Sequence, residues 1–274
     1  DVLIQENRDE IYVILAFTPA GAVYRQVADS LNSLGFQEYT HFAPMYHVFP
    51  SVFPYEEIRT KADYAPWKTD LTFQEIYQKI SSNTLVDKYR LYMLWSLVEQ
   101  VKHLKGGLLE VGVWKGGTGA LIARKSQLCG IEDPIYLCDT FTGVVKADLQ
   151  FDNAYRGGEH SDTSEEIVRK LIYQKLDLNN VKILKGIFPE ESAEMIHDTQ
   201  LRFCHIDVDV YLSAKHIFEW VWERLTVGGV IVFDDYGLMT CRGITNLVNE
   251  LSSREDLLFT YNLSGQAMIV KTKN

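Results

Sequence analysis

From about residue 107 to residue 233, short apolar runs alternate with stretches of helical character. This alternation is typical of a parallel β-sheet with connecting helices on both faces, and it constrains the fold more than any other feature. The predicted strands are 107–113, 134–138, 181–185, 201–208 and 229–233. The predicted helices that join them include 117–127, 164–176 and 213–225.

The C-terminal residues show a different apolar pattern. Two more apolar runs, 257–263 and 267–272, flank the polar stretch Ser264-Gly265-Gln266, which predicts an antiparallel hairpin. Five parallel strands followed by this hairpin predict an α/β fold on a seven-stranded, Rossmann-like mixed sheet. The sequence shows no internal repeat, which excludes solenoid folds.

Residues 1–75 differ from the rest and are predicted to form an N-terminal extension. A strand at 11–17 and a helix at 22–34 predict one βα unit. Residues 41–67 combine four prolines with many aromatic side chains, which predicts a packed, irregular connection over a pocket or at a subunit contact. A loop that simply covers the main core explains the same pattern. An amphipathic helix at 84–102 then leads into the main sheet of the domain 76–274.

The charge balance narrows the classes of partner. The 274 residues include 37 acidic and 27 basic side chains, a net charge of −10. Binding along a nucleic-acid backbone needs a basic surface, so we expect no nucleic-acid partner, and a neutral or cationic ligand fits better. No apolar run reaches the roughly 20 residues that span a bilayer, which predicts a soluble chain with no membrane partner.

The four cysteines indicate a reducing compartment. Cys129, Cys138, Cys204 and Cys241 form no C-x-x-C pair and lie mostly among apolar residues. That spacing is typical of reduced thiols rather than of a disulfide or a zinc site. We therefore predict a cytoplasmic protein.

The first strand of the main sheet runs into a glycine-rich turn with Gly112, Gly116 and Gly117. In doubly wound sheets such a turn lies where the strand order reverses, and backbone N–H groups at a helix N-terminus can meet a ligand there. The spacing is not the G-x-G-x-x-G of dinucleotide-binding loops. A turn that only reverses the chain direction is the alternative interpretation.

Two acidic residues flank this turn. Glu110 lies inside the apolar strand, where an unpaired carboxylate is costly, so a cationic ligand or a loop N–H is needed to satisfy it. Asp139 follows the next strand, 27 residues after Gly112, close to the spacing of an acid that binds ribose hydroxyls. A helix cap or turn is the other interpretation of Asp139. Together the two acids favour a cationic adenosyl ligand, S-adenosylmethionine, over the pyrophosphate of NAD.

Four aspartates follow the last two parallel strands: Asp207, Asp209, Asp234 and Asp235. If these strands are neighbours, the side chains meet at one edge, and neither motif, 204–211 or 230–236, contains a Lys or Arg to neutralise them. Oxygen ligands favour Mg²⁺, with Mn²⁺ or Ca²⁺ as substitutes. Helix caps at the strand ends would explain one or two of the acids. We interpret the nearby His205 as structural.

The ordered motifs resemble those of one family. They are Glu110-Val-Gly-Val-Trp-Lys-Gly-Gly117, Cys138-Asp-Thr-Phe-Thr-Gly143, Leu184-Lys-Gly-Ile-Phe-Pro189, Ile206-Asp-Val-Asp-Val-Tyr211 and Phe233-Asp-Asp-Tyr236. Their order over residues 80–274 resembles the macrocin O-methyltransferase (TylF) family, which includes Mg²⁺- and S-adenosylmethionine-dependent sugar O-methyltransferases of antibiotic pathways. The resemblance implies a class I methyltransferase fold for 76–274.

The resemblance also implies a role for each matching position. Asp207, Asp234 and Asp235 match the metal ligands, and Asp209 matches the proposed general base. The implied cofactor-binding residues are Glu110, Gly112, Gly116, Gly117 and Asp139. Val208 departs from the glycine common in the antibiotic enzymes, and residues 1–75 also differ, which leaves the acceptor open.

The implied reaction is methyl transfer to a hydroxyl of a sugar or glycosylated natural product. Two adjacent acceptor hydroxyls would chelate Mg²⁺, and Asp209 would remove the proton from the one facing the methyl group. A catechol-like diol would satisfy the same chemistry. The aromatic N-terminal segment is compatible with a homodimer.

Residues 152–161 form a polar insertion after Asp139. It is either a solvated loop or a lid over the acceptor. The lid interpretation uses Tyr155, Arg156, Glu159 and His160 as contacts, with Gly157 and Gly158 as hinges.

Three rival functions remain open from the sequence. A nicotinamide-dependent oxidoreductase lacks support because the G-x-G-x-x-G motif is missing. A non-catalytic protein that retains a cofactor site would have no use for four aspartates. A family-related protein with hydroxylase-associated chemistry is the third, since a fold does not fix a reaction.

Overall fold

The computed structural model of the chain describes residues 12–15, 22–37, 41–44, 64–197 and 200–273. These residues fall into two compact units, 1–64 and 65–274. The predicted strand at 11–17 is described only from 12 to 15, and residues 45–63 of the predicted irregular connection lie outside the described residues.

The smaller unit is a short βαβ arrangement. Strands β1 (Val13–Leu15) and β2 (Phe42–Pro44) pair in parallel, and helix α1 (Ala22–Ser33) lies between them in sequence. The predicted βα unit is confirmed, while β2 is a strand inside the segment that was expected to be irregular. The apolar core of this unit consists of Leu15, Tyr24, Ala28, Leu31, Phe36 and Phe42.

Two capped helices open the larger unit. Asp70 caps α2 (Leu71–Ile80) by accepting the N–H of Phe73 at 2.9 Å, and Asp87 caps α3 (Lys88–Gln100) in the same way. An aspartate cap satisfies free N–H groups of a first helical turn, so α3 begins after Asp87 and not at residue 84 as predicted.

Helix α2 was not predicted, and it spans the predicted domain division between residues 75 and 76. Phe73, Ile76 and Ile80 are fully or almost fully buried in the core of the larger unit. The compact units therefore divide earlier, between Tyr64 and Ala65.

The larger unit contains the predicted seven-stranded mixed sheet. Its strands are β3 (Gly107–Val111), β4 (Ile135–Asp139), β5 (Val181–Lys185), β6 (Leu201–Ile206), β7 (Leu225–Phe233), β8 (Leu257–Tyr261) and β9 (Ala267–Lys271). The spatial order is β5-β4-β3-β6-β7-β9-β8, with β3 to β7 parallel and the last two strands antiparallel. The strand order reverses between β3 and β6, which is where ligands bind in open α/β sheets.

Helices cover both faces of this sheet. They are α4 (Gly117–Leu128), α5 (Glu165–Arg169, continued by the π-helical turn Lys170–Lys175), α6 (Tyr211–Arg224) and α7 (Arg242–Leu251). One core packs α2 to α5 against the sheet, and a second core packs α6 and α7 against the other face.

The end of α6 and the start of β7 differ from the predictions because of hydrogen-bonded pairing between strands. Helix α6 ends at Arg224 and β7 begins at Leu225, earlier than the predicted start at residue 229, because Leu225 pairs with Leu201 of β6. Backbone pairing here overrides the helical apolar pattern.

Helix α7 had not been predicted. Among the described ranges, no helix is long and apolar enough to cross a membrane.

Replacing Phe73 by alanine tests whether α2 belongs to the core of the larger unit. The ring packs against Tyr92 and Trp95, with centroid distances of 4.9 and 5.8 Å. We expect Phe73→Ala to lower the free energy of unfolding by about 3–5 kcal/mol, measured by denaturant unfolding with tryptophan fluorescence. Leu71→Ala, at a site 76% exposed on the same helix, is the control. Equal unfolding midpoints for the two variants would contradict this assignment.

Candidate active site

The carboxyl ends of the parallel strands border one open cleft. Its empty volume is about 1090 Å³, including the solvent-filled entrance. Its lining comes from the residues before and within α3, the glycine-rich turn, the end of β4, the insertion after it, and the ends of β6 and β7. The charged or titratable lining residues are Arg90, Asp139, Tyr155, His160, Asp207, Asp209, Asp234 and Asp235, together with Cys138.

Gly112 is the one of the three predicted glycines of the turn that lines this cleft, beside Val113 and Trp114. Its backbone has φ +91°, and a Cβ there would lie 1.7 Å from the carbonyl oxygen of Asp207. The N–H of Asp207 in turn donates to the carbonyl of Val111 at 2.9 Å. Only a glycine lets the turn and the chain after β6 approach this closely. The turn and the first aspartate motif are therefore one packed unit.

The other two predicted glycines do not line the cleft. Gly116 has φ +87° at the start of α4 and packs against Val168. A Cβ on Gly117 would lie 2.7 Å from the carbonyl oxygen of Asn83, which accepts the N–H of Gly117 at 2.9 Å. Gly117 thus allows residues 83–86, which line the cleft, to pass beside the turn. These lining residues were not predicted from the sequence, because no motif singles them out.

Asp139 lies at the end of β4 and borders the cleft. Its Oδ2 accepts the N–H groups of Val113 and Trp114 at 2.7 and 2.9 Å, and its Oδ1 accepts the N–H of Phe141 at 2.6 Å. It therefore closes the turn, as the alternative interpretation predicted. Each carboxylate oxygen has more than one acceptor site, so contact with a ligand hydroxyl remains available.

Glu110 is fully buried behind the turn and does not line the cleft. The partner that the sequence required is His205 of β6, whose Nδ1 lies 3.0 Å from Oε1 of Glu110. The Oε2 atom has no hydrogen-bond partner and faces Gly119, where a Cβ would lie only 2.5 Å away. Burial raises the pKa of Glu110, and His205 opposes that rise.

His205 is fully buried and links the two sides of the site. Its Nε2 lies 3.4 Å from Oδ1 of Asp234. Burial alone would lower the pKa of His205, but hydrogen bonds and charges from Asp234 and Glu110 raise it to about 10. The imidazole therefore carries a positive charge between two buried carboxylates at neutral pH.

Neither aspartate motif contains a Lys or Arg, as the sequence shows, but Arg90 from outside the motifs partly neutralises the aspartates. It comes from α3, donates to Asp234 through Nη1, and lies 3.6 Å from Oδ1 of Asp235. Its Nε donates to Asp87 at 2.7 Å. A signal was present in the sequence: Arg90 precedes the buried Leu94 by four residues, on the apolar stripe of α3.

The four aspartates converge because of the register of two strands. Ile206 and Phe233 are paired on β6 and β7, and the next residues on the two chains are Asp207 and Asp234. Ligand atoms of His205, Asp207 and Asp234 lie within 4.8 Å of one another, and those of Asp209, Asp235 and Cys241 form a second such group. The structure thus places the predicted metal ligands in two adjoining clusters.

Their charges are unequally compensated. Burial would raise the pKa of Asp234, but His205, Arg90 and a 2.7 Å hydrogen bond from Gln266 lower it. The pKa values of Asp207 and Asp235 are raised well above normal by burial and by neighbouring carboxylates. The Oδ2 atom of Asp235 is buried and has no hydrogen-bond partner. The edge therefore has a deficit of positive charge.

Asp209 is partly exposed and lies in the cleft with φ +65°. Burial raises its pKa, while a hydrogen bond from Tyr155, the charge of His160 and Cys241 oppose the rise. Cys241 Sγ lies 3.8 Å from Oδ1 of Asp209. The carboxylate is thus accessible and less acidic than an ordinary aspartate.

The insertion contributes two of its four predicted contact residues to the cleft, Tyr155 and His160. Glu159 instead accepts the backbone N–H groups of Arg156 and Gly157 at 2.7 and 2.8 Å. Arg156 bonds back to the carbonyl of Tyr155 at 2.7 Å. These contacts hold Arg156 and Glu159 within the insertion itself.

The sheet order and the cleft at its carboxyl edge are those of the class I methyltransferase fold, of the Rossmann-like type. The family model described as Macrocin-O-methyltransferase (TylF) matches residues 56–257, more than half of the chain. The chain belongs to this family and is an O-methyltransferase. The oxidoreductase interpretation is thereby set aside.

Named relatives agree with this assignment. The chain is 27% identical over 191 residues to demethyldecarbamoylnovobiocin O-methyltransferase of Streptomyces niveus, covering 65% of this chain and 70% of that protein. It is 30% identical over 172 residues to 8-demethyl-8-(2,3-dimethoxy-alpha-L-rhamnosyl)-tetracenomycin-C 4'-O-methyltransferase of Streptomyces olivaceus, covering 59% and 65%.

A solved structure shares the fold. The O-methyltransferase NovP superposes with a TM-score of 0.60 at 23% sequence identity, covering 70% of this chain and 83% of that one. At this identity the likeness establishes the architecture and not the acceptor.

Replacing Gly112 by alanine tests the close approach of the turn to Asp207. Gly130→Ala is the matched control, because Gly130 also has a positive φ, +69°, but has no atom within 4 Å of an added Cβ. We expect Gly112→Ala to cost about 1–3 kcal/mol more than the control, because the backbone of Asp207 must move. Chemical denaturation measures both. Equal losses of unfolding free energy in the two variants would mean that only the φ angle matters at Gly112.

Proposed function

We propose that the protein transfers a methyl group from S-adenosylmethionine to a hydroxyl of a sugar or glycosylated natural product, in a Mg²⁺-dependent reaction. The observation that carries the proposal is the under-compensated carboxylate edge beside the glycine-rich turn. Family membership and relatives named for methylation of novobiocin- and tetracenomycin-type compounds support the class of acceptor.

The donor set fits a divalent cation. Among the described residues around the edge, Arg90 and His205 supply positive charge against five carboxylates, those of Glu110, Asp207, Asp209, Asp234 and Asp235. The buried, unpartnered oxygen of Asp235 is the sharpest sign of a missing partner. Carboxylate oxygens are the ligands that Mg²⁺ prefers. Asp207, Asp234 and Asp235 would hold the ion.

The cofactor end of the cleft suits a cationic adenosyl ligand. Gly112 lines the cleft where the strand meets the turn, and Asp139 borders the same cleft with unused acceptor capacity for ribose hydroxyls. The pyrophosphate of a dinucleotide would bring two negative charges beside an edge that already has too many. Glu110, Gly116 and Gly117 would act indirectly, by shaping the turn and by holding His205.

In the reaction, Asp209 would accept the proton of the attacking hydroxyl. Its raised pKa improves it as a general base near neutral pH, and it borders the cleft beside the metal-ligand candidates. Bound Mg²⁺ would orient the hydroxyl and increase its acidity. Bound S-adenosylmethionine would supply the methyl group on a sulfonium, which is a good leaving group. A catechol-like diol would meet the same requirements as a sugar diol.

Calorimetric titration with S-adenosylhomocysteine and NAD tests the cofactor class. We expect S-adenosylhomocysteine to bind and NAD to bind at least tenfold more weakly, because the acidic cleft repels the pyrophosphate. Binding of NAD without binding of the adenosyl compound would end the methyltransferase proposal.

Two aspartate substitutions separate the metal ligand from the base. Asp235→Asn should weaken Mg²⁺ binding about tenfold or more, while the metal-free protein keeps its stability because a repelling charge is removed.

Asp209→Asn should retain Mg²⁺ and S-adenosylhomocysteine affinity but lose methyl transfer by a factor of about 10² or more. Calorimetry measures binding, and release of S-adenosylhomocysteine with a panel of glycosides and catechols measures turnover.

Asp177→Asn is the control for both variants, because Asp177 is exposed and also has a positive φ, +51°. Unchanged Mg²⁺ affinity in Asp235→Asn would refute the ligand assignment. Undiminished methyl transfer in Asp209→Asn would refute the base.

A further inference from the structure

Residues 151–163, called the strap below, connect the segment after β4 to the start of α5. One end of the strap is fixed to the chain after the first aspartate motif. Asp152 is 4% exposed, and its Oδ1 accepts the N–H of Tyr211, the first residue of α6, at 3.0 Å. The ring of Phe151 stacks on that of Tyr211 with a centroid distance of 4.3 Å.

The side chain of Asp152 also lies unusually close to the backbone of α7. A Cβ on Gly243 would lie 2.1 Å from Oδ1 of Asp152, so a glycine is needed there. The neighbouring Asn153 donates to the carbonyl of Met239 at 2.7 Å. This end of the strap is therefore tied to the segments that follow both aspartate motifs.

The other end is fixed to the glycine-rich turn. Asp162 accepts from Trp114 Nε1 at 2.8 Å and from Lys115 Nζ at 2.7 Å. Between the two ends, Val144 exchanges main-chain hydrogen bonds of 2.8 Å with Glu159 and Gly158. The strap thus joins the cofactor side of the cleft to the carboxylate edge, rather than hanging free as a solvated loop.

Tyr155 and His160 are the strap residues that line the cleft. The Tyr155 hydroxyl lies 3.4 Å from His160 Nε2, and the ring centroids are 5.8 Å apart. Asp209, the proposed base, lines the same cleft. The pair and the proposed base therefore border one shared space.

The chemistry of this pair indicates what it would hold. A phenol and an imidazole can each donate and accept a hydrogen bond, which suits hydroxyl groups. The lining residue with a permanent positive charge, Arg90, is already paired with Asp87 and Asp234. Among the described lining residues there is thus no unpaired Lys or Arg for a phosphate. The lining favours an uncharged, hydroxylated acceptor.

We propose that the strap forms the acceptor subsite, with Tyr155 and His160 binding hydroxyls of an uncharged acceptor. This assignment rests on the proposed function, since it needs a hydroxylated acceptor at the carboxylate edge. It names two residues that determine acceptor binding without contributing to cofactor binding.

Binding of esculetin, a fluorescent vicinal diol, to the full chain with Mg²⁺ and S-adenosylhomocysteine tests the subsite. Tyr155→Phe and His160→Gln should each weaken esculetin binding about 3- to 10-fold, the loss expected for one hydrogen bond. Affinity for S-adenosylhomocysteine and for Mg²⁺ should stay within about twofold of the unsubstituted chain. Tyr173→Phe is the control, because that hydroxyl donates to the carbonyl of Val181, outside the cleft.

The outcomes separate the two proposals. Absence of Mg²⁺-dependent esculetin binding in the unsubstituted chain would overturn metal chelation of the acceptor, and the subsite with it. Mg²⁺-dependent binding that both variants retain would overturn the strap assignment alone. Parallel weakening of esculetin and S-adenosylhomocysteine would indicate a general structural role of the strap and would also overturn the subsite.

Discussion

Compensation of buried negative charge is the constraint on which the rest of the site depends. Asp234 is almost fully buried and is tolerated because His205, Arg90 and Gln266 surround it. Asp235 is also buried and has an oxygen with no such partner. A buried carboxylate without compensation is costly, and the proposed Mg²⁺ would remove that cost. Under this proposal, binding of the cation and integrity of the sheet edge are linked.

The glycine-rich turn and the aspartate motifs, on the two sides of the cleft, are directly linked. Gly112 packs against the backbone of Asp207, so the glycine-rich turn and the first aspartate motif are in direct contact. His205 adds a second link, from Glu110 behind the turn to Asp234 at the edge. Displacement of either half would be transmitted to the other, which favours the preorganised geometry that in-line transfer requires.

Several cleft-lining side chains lie outside the acidic clusters. Val208, which replaces the glycine common in the antibiotic enzymes, lines the cleft and lies beside Gly112. The strap supplies hydrogen-bonding groups to the same cleft through Tyr155 and His160. These side chains lie on segments between the sheet elements, where binding residues are common on α/β scaffolds.

The sequence alone determined the seven-stranded sheet, the glycine turn and the convergence of Asp207, Asp209, Asp234 and Asp235, because apolar periodicity fixes strands and parallel strands end at a common edge. It also required a partner for Glu110. Only the tertiary structure decided that this partner is His205, because the pairing of β3 with β6 depends on a crossover between distant segments. Arg90 reached Asp234 across 144 residues in the same way, since charge partners across elements follow from packing and not from local pattern.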